Sequence, residues 1–71
     1  MKIFYDDEVD AAYIELSTQH PQGVIELAEG VNLDVTEDHH IVGIEILDAS
    51  KKLAIETLYR LEMEPPMAHA A

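Results

Sequence analysis

Hydrophobic and polar residues alternate along much of residues 1–47, and a period of two predicts β-strands. The segments AAYIELS (11–17) and VNLDVT (31–36) alternate strictly, as half-buried strands do. The segments KIFY (2–5) and VIELAEG (24–30) are rich in aromatic or branched residues and are bounded by turn-forming residues. Each of these four segments is therefore expected to form a strand.

The segment HIVGIEIL (40–47) differs because it carries apolar side chains at both odd and even positions. A strand that is apolar on both faces is typically central in its sheet. The missing side chain of Gly43 would let a bulky ring or another backbone approach closely. The two predicted groups are Val42, Ile44 and Ile46 on one face and Ile41 and Leu47 on the other.

From residue 48 the pattern changes to a helical period, in DASKKLAIETLYRLEME (48–64). Asp48 or Ser50 is expected to cap the first turn by accepting its free amides. Glu56 and Arg60 are spaced for an ion pair one turn apart. The helix should end before Pro65, because a residue that precedes proline avoids the helical region. The apolar arc of this helix consists of Ala54, Ile55, Leu58 and Leu61.

Strands followed by one helix predict an α+β fold, and 71 residues are enough for one domain. Short connections favour antiparallel neighbours, because parallel pairs need long crossovers. We expect a twisted antiparallel meander of four or five strands with one C-terminal α-helix packed on a face. The domain should span residues 1–64, and residues 65–71 should form a flexible tail.

The composition is strongly acidic, with 15 Asp and Glu against 4 Lys and Arg and a formal net charge of −11. This balance argues against direct binding of nucleic acid, whose phosphates require Lys and Arg, and against an anionic membrane surface. It favours divalent cations or a basic protein partner. The lack of cysteine and of an apolar signal segment near residue 1 predicts a cytoplasmic protein.

Three separated segments together resemble one family. The first segment is MKIFYDDEVDAAYIEL (1–16), in which Tyr-Asp is followed by an acidic spacer and then by Asp before Tyr-Ile. The second is EGVNLDVTED (29–38), which contains Gly-Val, Leu-Asp and an acidic turn. The third and most distinctive is IVGIEILDAS (41–50). Over about residues 1–53 the chain resembles DUF2283, a small prokaryotic domain of unknown function. The resemblance implies a β-sheet domain with a C-terminal helix and an antitoxin-like partnership with small ribonuclease-type toxins. Its motif residues here are Tyr5, Asp6, Asp10, Tyr13, Asp34, Gly43, Glu45 and Asp48.

Two adjacent histidines, His39 and His40, follow Asp38 between two predicted strands. In the family pattern the position of His39 is usually the glycine of an Asp-Gly turn. Histidine is among the few other residues enriched at positive φ, so we expect Asp38 and His39 to form that turn. A metal site on Asp38, His39 and His40 is the alternative. Adjacent side chains at a strand end point apart, so we favour the turn and expect no metal and no cofactor.

The aromatic and acidic residues Tyr5, Asp6, Asp10 and Tyr13 surround the first predicted turn. A phenol beside a carboxylate pair can act in acid–base catalysis. Alternatively, the aspartates accept turn amides and the tyrosines pack across strands. We favour the structural role, because the sequence contains no nucleophile elbow, phosphate loop or zinc-binding helix motif.

Four acidic residues, Glu15, Glu26, Asp34 and Glu45, occupy polar positions on four predicted strands. They could line one acidic sheet face, either as a docking surface for a basic partner or as a solvated face. We therefore expect a non-enzymatic protein-interaction module, an antitoxin-like partner of a basic ribonuclease-type toxin. The alternatives are a small metal-dependent hydrolase that uses Asp and His residues, and a self-associating structural domain without a ligand.

A homodimer is also expected, because 48% of the residues are hydrophobic and one short helix can cover only one sheet face. The segment KIFY (2–5) is a candidate edge strand, which needs cover or pairing. A two-fold interface would bury Ile41, Leu47 and either Phe4 or Tyr59. Burying each such side chain is worth roughly 1.5–3 kcal/mol, which should outweigh screened repulsion between two acidic chains.

Overall fold

The computed structural model describes residues 1–60, 62, 63 and 65, and it contains a five-stranded sheet followed by two short helices. The predicted tail, residues 65–71, lies outside the described residues except for Pro65. No helix in the described part of the chain is long and apolar enough to cross a membrane. The elements are β1 (Lys2–Asp6), β2 (Ala11–Glu15), β3 (Gly23–Ala28), β4 (Val31–Val35), β5 (Ile41–Leu47), α1 (Ala49–Lys52) and the 3-10 helix η1 (Ile55–Arg60).

The α+β fold with an antiparallel sheet is confirmed, but the strand order differs from the expected meander. The order is β1-β2-β5-β4-β3, and every neighbouring pair is antiparallel. Strands β2 to β5 therefore form a Greek key, in which the loop 16–22 carries the chain from β2 to the far edge. The apolar β5 is central, as its sequence predicts, and β1 is an edge strand.

The strand register divides the sheet into two faces of opposite character. Opposed residues of antiparallel strands share a face, so side chains can be assigned from the pairing. The face that we call the polar face carries Lys2, Phe4, Tyr13, Glu15, Val24, Glu26, Asn32, Asp34 and Glu45. The face that we call the apolar face carries Ile3, Tyr5, Ile14, Ile25, Leu33, Ile44 and Ile46.

Complete burial is confined to small side chains. Of the described residues, Ala12, Val35, Val42 and Ala49 form the buried core, and no large side chain is fully buried. The isoleucines and leucine in the middle of the apolar face are half-buried, whereas every residue of β3 is exposed. The chain therefore folds around a thin core and leaves one edge strand uncovered.

A β-bulge between β4 and β5 changes the predicted orientation of Ile41. Asp34 lies opposite Gly43, but the next residue, Val35, lies opposite Ile41, so Val42 is the extra residue. This shift places Ile41 in register with the apolar face, whereas simple alternation assigned it to the same face as Leu47. Leu47 lies on the polar side, in register with Ala11.

The single helix predicted over residues 48–64 is wrong, because the chain breaks at Leu53. Leu53 is extended, with φ −151°, and it separates α1 from η1. The Thr57 hydroxyl donates to the carbonyl of Ala54 at 2.6 Å, a local bond that competes with regular helix formation. The predicted ion pair between Glu56 and Arg60, which both lie in the described range, is not formed. In a 3-10 helix, residues four apart do not share a face.

Candidate functional site

The centre of the polar face is a tyrosine that reaches across a neighbouring strand. Tyr13 on β2 donates a hydrogen bond to Asp34 Oδ2 on β4 at 2.9 Å, so its ring passes over β5. It passes at Gly43, where an added Cβ would lie 2.1 Å from the Tyr13 hydroxyl oxygen and 2.9 Å from the Ile14 carbonyl oxygen. This confirms the expectation that Gly43 admits a bulky ring. The bond fixes Asp34 in the middle of the sheet.

Carboxylates from three strands surround the Tyr13 hydroxyl. Partial burial, the hydrogen bond to Asp34 and the negative charges of Asp34, Glu15 and Glu45 all raise the pKa of Tyr13. Next to them, Asn32 Nδ2 donates to Glu45 Oε1 at 3.1 Å. Together with the exposed Glu26, which lies opposite Asn32, the four predicted acidic residues do share one sheet face.

A second tyrosine–aspartate pair lies at the end of the β1–β2 hairpin. Tyr5 donates to Asp10 Oδ1 at 2.8 Å, and Ser50 donates to the same carboxylate from its amide at 3.0 Å and its hydroxyl at 2.7 Å. The Asp10 carbonyl also accepts the Ala49 amide at 2.9 Å. Asp10 therefore fastens the start of α1 to the hairpin.

The electrostatics of this second pair follow from its hydrogen bonds. Donation by the Ser50 hydroxyl and then by Tyr5 lowers the pKa of Asp10, because both bonds stabilise the carboxylate. The bond to Asp10 raises the pKa of Tyr5 to about 12. Asp48 occupies the N-cap position of α1, with φ 52°, but its side chain makes no capping hydrogen bond. Asp10 caps the helix instead, by accepting the Ser50 amide.

The predicted cluster of Tyr5, Asp6, Asp10 and Tyr13 is thus divided between the two faces of the sheet. The strand pairing assigns Tyr5 to the apolar face and Tyr13 to the polar face. Asp6 Oδ1 accepts the Glu8 amide at 2.9 Å, so the expectation that it satisfies a turn amide is confirmed. Asp10 instead accepts a distant amide, that of Ser50. The four side chains do not form one acid–base site.

The histidine segment forms the predicted turn. His39 has φ 66°, and its amide donates to the Thr36 carbonyl at 3.0 Å, which closes a tight turn between β4 and β5. The Thr36 hydroxyl donates to Asp38 at 2.5 Å, and this bond lowers the pKa of Asp38. His40 Nδ1 lies 3.7 Å from Asp38 Oδ2, with both side chains exposed.

No group of three or more His, Asp or Glu side chains that could hold a metal occurs among residues 1–60, 62, 63 and 65. Asp38 and His40 approach each other in the β4–β5 turn, but Asp34 bonds Tyr13 on the polar face and Asp10 bonds Ser50 near α1. The residues considered for a metal-dependent hydrolase are therefore in three separate places.

The sequence did not indicate the contacts of three residues that shape these sites. Asn32 orients Glu45, Ser50 supplies two donors to Asp10, and Phe4 lies on the polar face beside Tyr13 with 52% of its surface exposed. The alternation of β4 placed Asn32 with Asp34, so its position was available from the pattern. The contact between Asp10 and Ser50 spans 40 residues and carries no local signal.

The family comparison agrees with the motifs. The model of the family described as "Protein of unknown function (DUF2283)" matches residues 2–50, which contain all five strands and the residues that bond Tyr5 and Tyr13. No curated protein and no solved structure matches the chain. Because the match covers more than half of its 71 residues, the chain belongs to the DUF2283 family.

Proposed function

We propose that this protein is a non-enzymatic interaction module whose polar face docks onto a basic protein, in the manner of an antitoxin bound to a ribonuclease-type toxin. The observation that carries the proposal is the grouping of Glu15, Glu26, Asp34 and Glu45 on one sheet face. The net charge of −11 has the sign that would steer a basic partner to this surface.

The intramolecular partners of these carboxylates support the proposal. In the described part of the chain, the one ion pair joins His40 to Asp38 in the β4–β5 turn, so none of the four carboxylates is ion-paired with Lys or Arg, and Lys2, which lies opposite Glu15, forms no ion pair with it. Glu45 lies two residues along β5 from Gly43, the residue opposite both Glu15 and Asp34, so it is a diagonal cross-strand neighbour of both carboxylates and the three like charges repel one another. A basic partner would relieve that repulsion, which gives the acidic surface a reason to bind one.

The test is a double charge reversal, Glu15→Lys with Glu26→Lys, which leaves the bond between Tyr13 and Asp34 intact. We expect weaker binding, measured by titration calorimetry, to a basic protein that co-purifies with the unmodified chain. The loss should shrink at high salt, because exposed charges are screened over about 10 Å at 0.1 M. The control, Asp7→Lys with Glu56→Lys, makes the same charge change outside the sheet, in the β1–β2 turn and in η1. Equal binding by both double variants would remove the polar face as the docking surface.

Self-association is a second candidate, and the exposed edge strand β3 favours it. Val24 and Leu27 are 65% and 57% exposed, and an uncovered edge strand is a template for pairing with another chain. The dimer interface expected from the sequence changes accordingly. Phe4 and Leu47 are on the polar side, Ile41 is in register with the apolar face, and Tyr59 is 82% exposed on η1.

Sedimentation equilibrium at micromolar concentration in about 0.15 M salt tests the homodimer. We expect a dimer mass for the unmodified chain and a monomer mass for Val24→Lys. Val9→Lys is the matched control, because Val9 is 66% exposed but lies in the β1–β2 turn. A monomer mass for the unmodified chain throughout this range would contradict the dimer.

A further inference from the structure

The polar face contains a cleft beside the β1–β2 hairpin, at one end of the acidic surface. It has a volume of about 280 Å³ and is lined by side chains that include Phe4, Asp6, Val9, Tyr13 and Glu45. Phe4, Tyr13 and Glu45 are in register across β1, β2 and β5, so two aromatic rings and a carboxylate lie side by side. The volume lies just below the roughly 300–1,000 Å³ of pockets that hold drug-sized ligands, so the cleft has room for one long side chain.

The residues that line the cleft favour a cation with a flat, partly apolar body. Aromatic faces attract Lys and Arg, and a carboxylate at the same site adds a charge-assisted hydrogen bond. Glu45 Oε1 is held by Asn32 at 3.1 Å, whereas Oε2 accepts no hydrogen bond from the described residues. A guanidinium group suits this set better than an ammonium group, because it stacks on a ring while its edge donates to a carboxylate.

We propose that this cleft receives an arginine side chain of the basic partner, which would stack on Phe4 and donate to Glu45. The inference rests on the proposed docking function and deepens it, since it names the anchor residue of the partner. Asp6 at the hairpin end would add a second negative charge beside the cation, and Val9 would cover the methylene groups of its side chain.

Hexa-arginine and hexa-lysine peptides are the probes, and backbone amide shifts in NMR titrations are the measurement. We expect hexa-arginine to shift the amides of Phe4, Tyr13 and Glu45 and to bind more tightly than hexa-lysine. Phe4→Ala should weaken hexa-arginine binding roughly three- to tenfold, the range expected for loss of one cation–π contact, and should weaken hexa-lysine binding less. Glu45→Gln, which keeps the side-chain shape, should weaken both.

The exposed Glu56 on η1 provides the control, because Glu56→Gln removes one charge outside the cleft and should leave the arginine preference unchanged. Shifts at Glu15, Glu26 and Asp34 without shifts at Phe4 and Tyr13 would overturn the cleft while the docking face stands. Equal affinity of Phe4→Ala and the unmodified chain for hexa-arginine would also overturn it. If neither peptide shifts any amide of the polar face, the docking function and the cleft both fail.

Discussion

Two tyrosine–aspartate pairs of almost equal length lie on opposite faces of the same sheet. Tyr5 donates to Asp10 at 2.8 Å, and Tyr13 donates to Asp34 at 2.9 Å. Their surroundings differ. The Asp10 carboxylate also accepts two bonds from Ser50, whereas the Asp34 carboxylate accepts no other bond from the described residues and has Glu15 and Glu45 near it.

The two aspartates therefore differ in their hydrogen bonding, although both pairs consist of the same residue types. Asp10 accepts bonds from three donors and joins two parts of the chain that are 40 residues apart. Asp34 is held in place by one donor within an acidic surface that has unused acceptor capacity. We therefore assign the first pair to the fold and the second to the proposed docking surface.

The largest effect is expected from Gly43→Ala, which breaks the second pair sterically. The new Cβ would meet the Tyr13 ring at 2.1–2.4 Å and the Ile14 carbonyl oxygen at 2.9 Å, so the ring and the backbone must both shift. The free energy of unfolding, measured by urea denaturation, should fall by about 2–3 kcal/mol. Gly23→Ala is the control, because its Cβ would meet only Val35 at 3.9 Å. Equal stability of the two variants would contradict the close approach of Tyr13.

A smaller loss is expected from Asp10→Asn, which removes the charge of the first pair but tolerates the φ of 54° at this position. The pKa of Asp10 is lowered below 3.8 in the folded chain, so its contribution is present above pH 3.8 and is lost as pH falls through the folded value. The free energy of unfolding of the variant, measured by urea denaturation, should be lower than that of the unmodified chain at pH 7. This difference should disappear in acid. Asp7→Asn, in the same turn, should show no such pattern. A gap that is constant from pH 7 to pH 2 would disprove the assignment.

The phenol hydroxyls can be removed separately to compare the two pairs. Tyr13→Phe leaves Asp34 without a donor and should lower the free energy of unfolding by about 1 kcal/mol. Tyr5→Phe should cost less, because Ser50 still donates twice to Asp10. Thermal and urea unfolding of both variants measures which substitution causes the larger loss in the free energy of unfolding. The reverse order would mean that Asp10 depends on Tyr5 more than on Ser50.

The smallest effect is expected at the β4–β5 turn, which touches neither pair. His39→Gly keeps the amide that donates to Thr36 and removes the strain of a side chain at φ 66°. Stability should stay equal or rise by up to about 1 kcal/mol. A clear loss on urea unfolding would show that the imidazole of His39 makes a stabilising contact.

Much of the second pair was open to prediction from the sequence, whereas the first was not. Alternation placed Asp34 with the other acidic positions, and Gly43 indicated a close approach by a ring. The division of Tyr5 and Tyr13 between two faces was not open to prediction, because it depends on the register of the β1–β2 hairpin, which pairs Phe4 with Tyr13. The bonds from Asp10 to Ser50 could not be foreseen, because nothing near residue 10 indicates which distant amide comes to it.

Local patterns in the sequence were enough to predict the antiparallel α+β class, the central place of β5, the acidic face and the positive φ of His39. These features depend on local alternation, charge and turn chemistry, which act over a few residues. Only the folded chain shows the Greek-key order, the bulge that turns Ile41 and the capping of α1 by Asp10. Each of these depends on contacts between distant segments, and such contacts leave no period in the sequence.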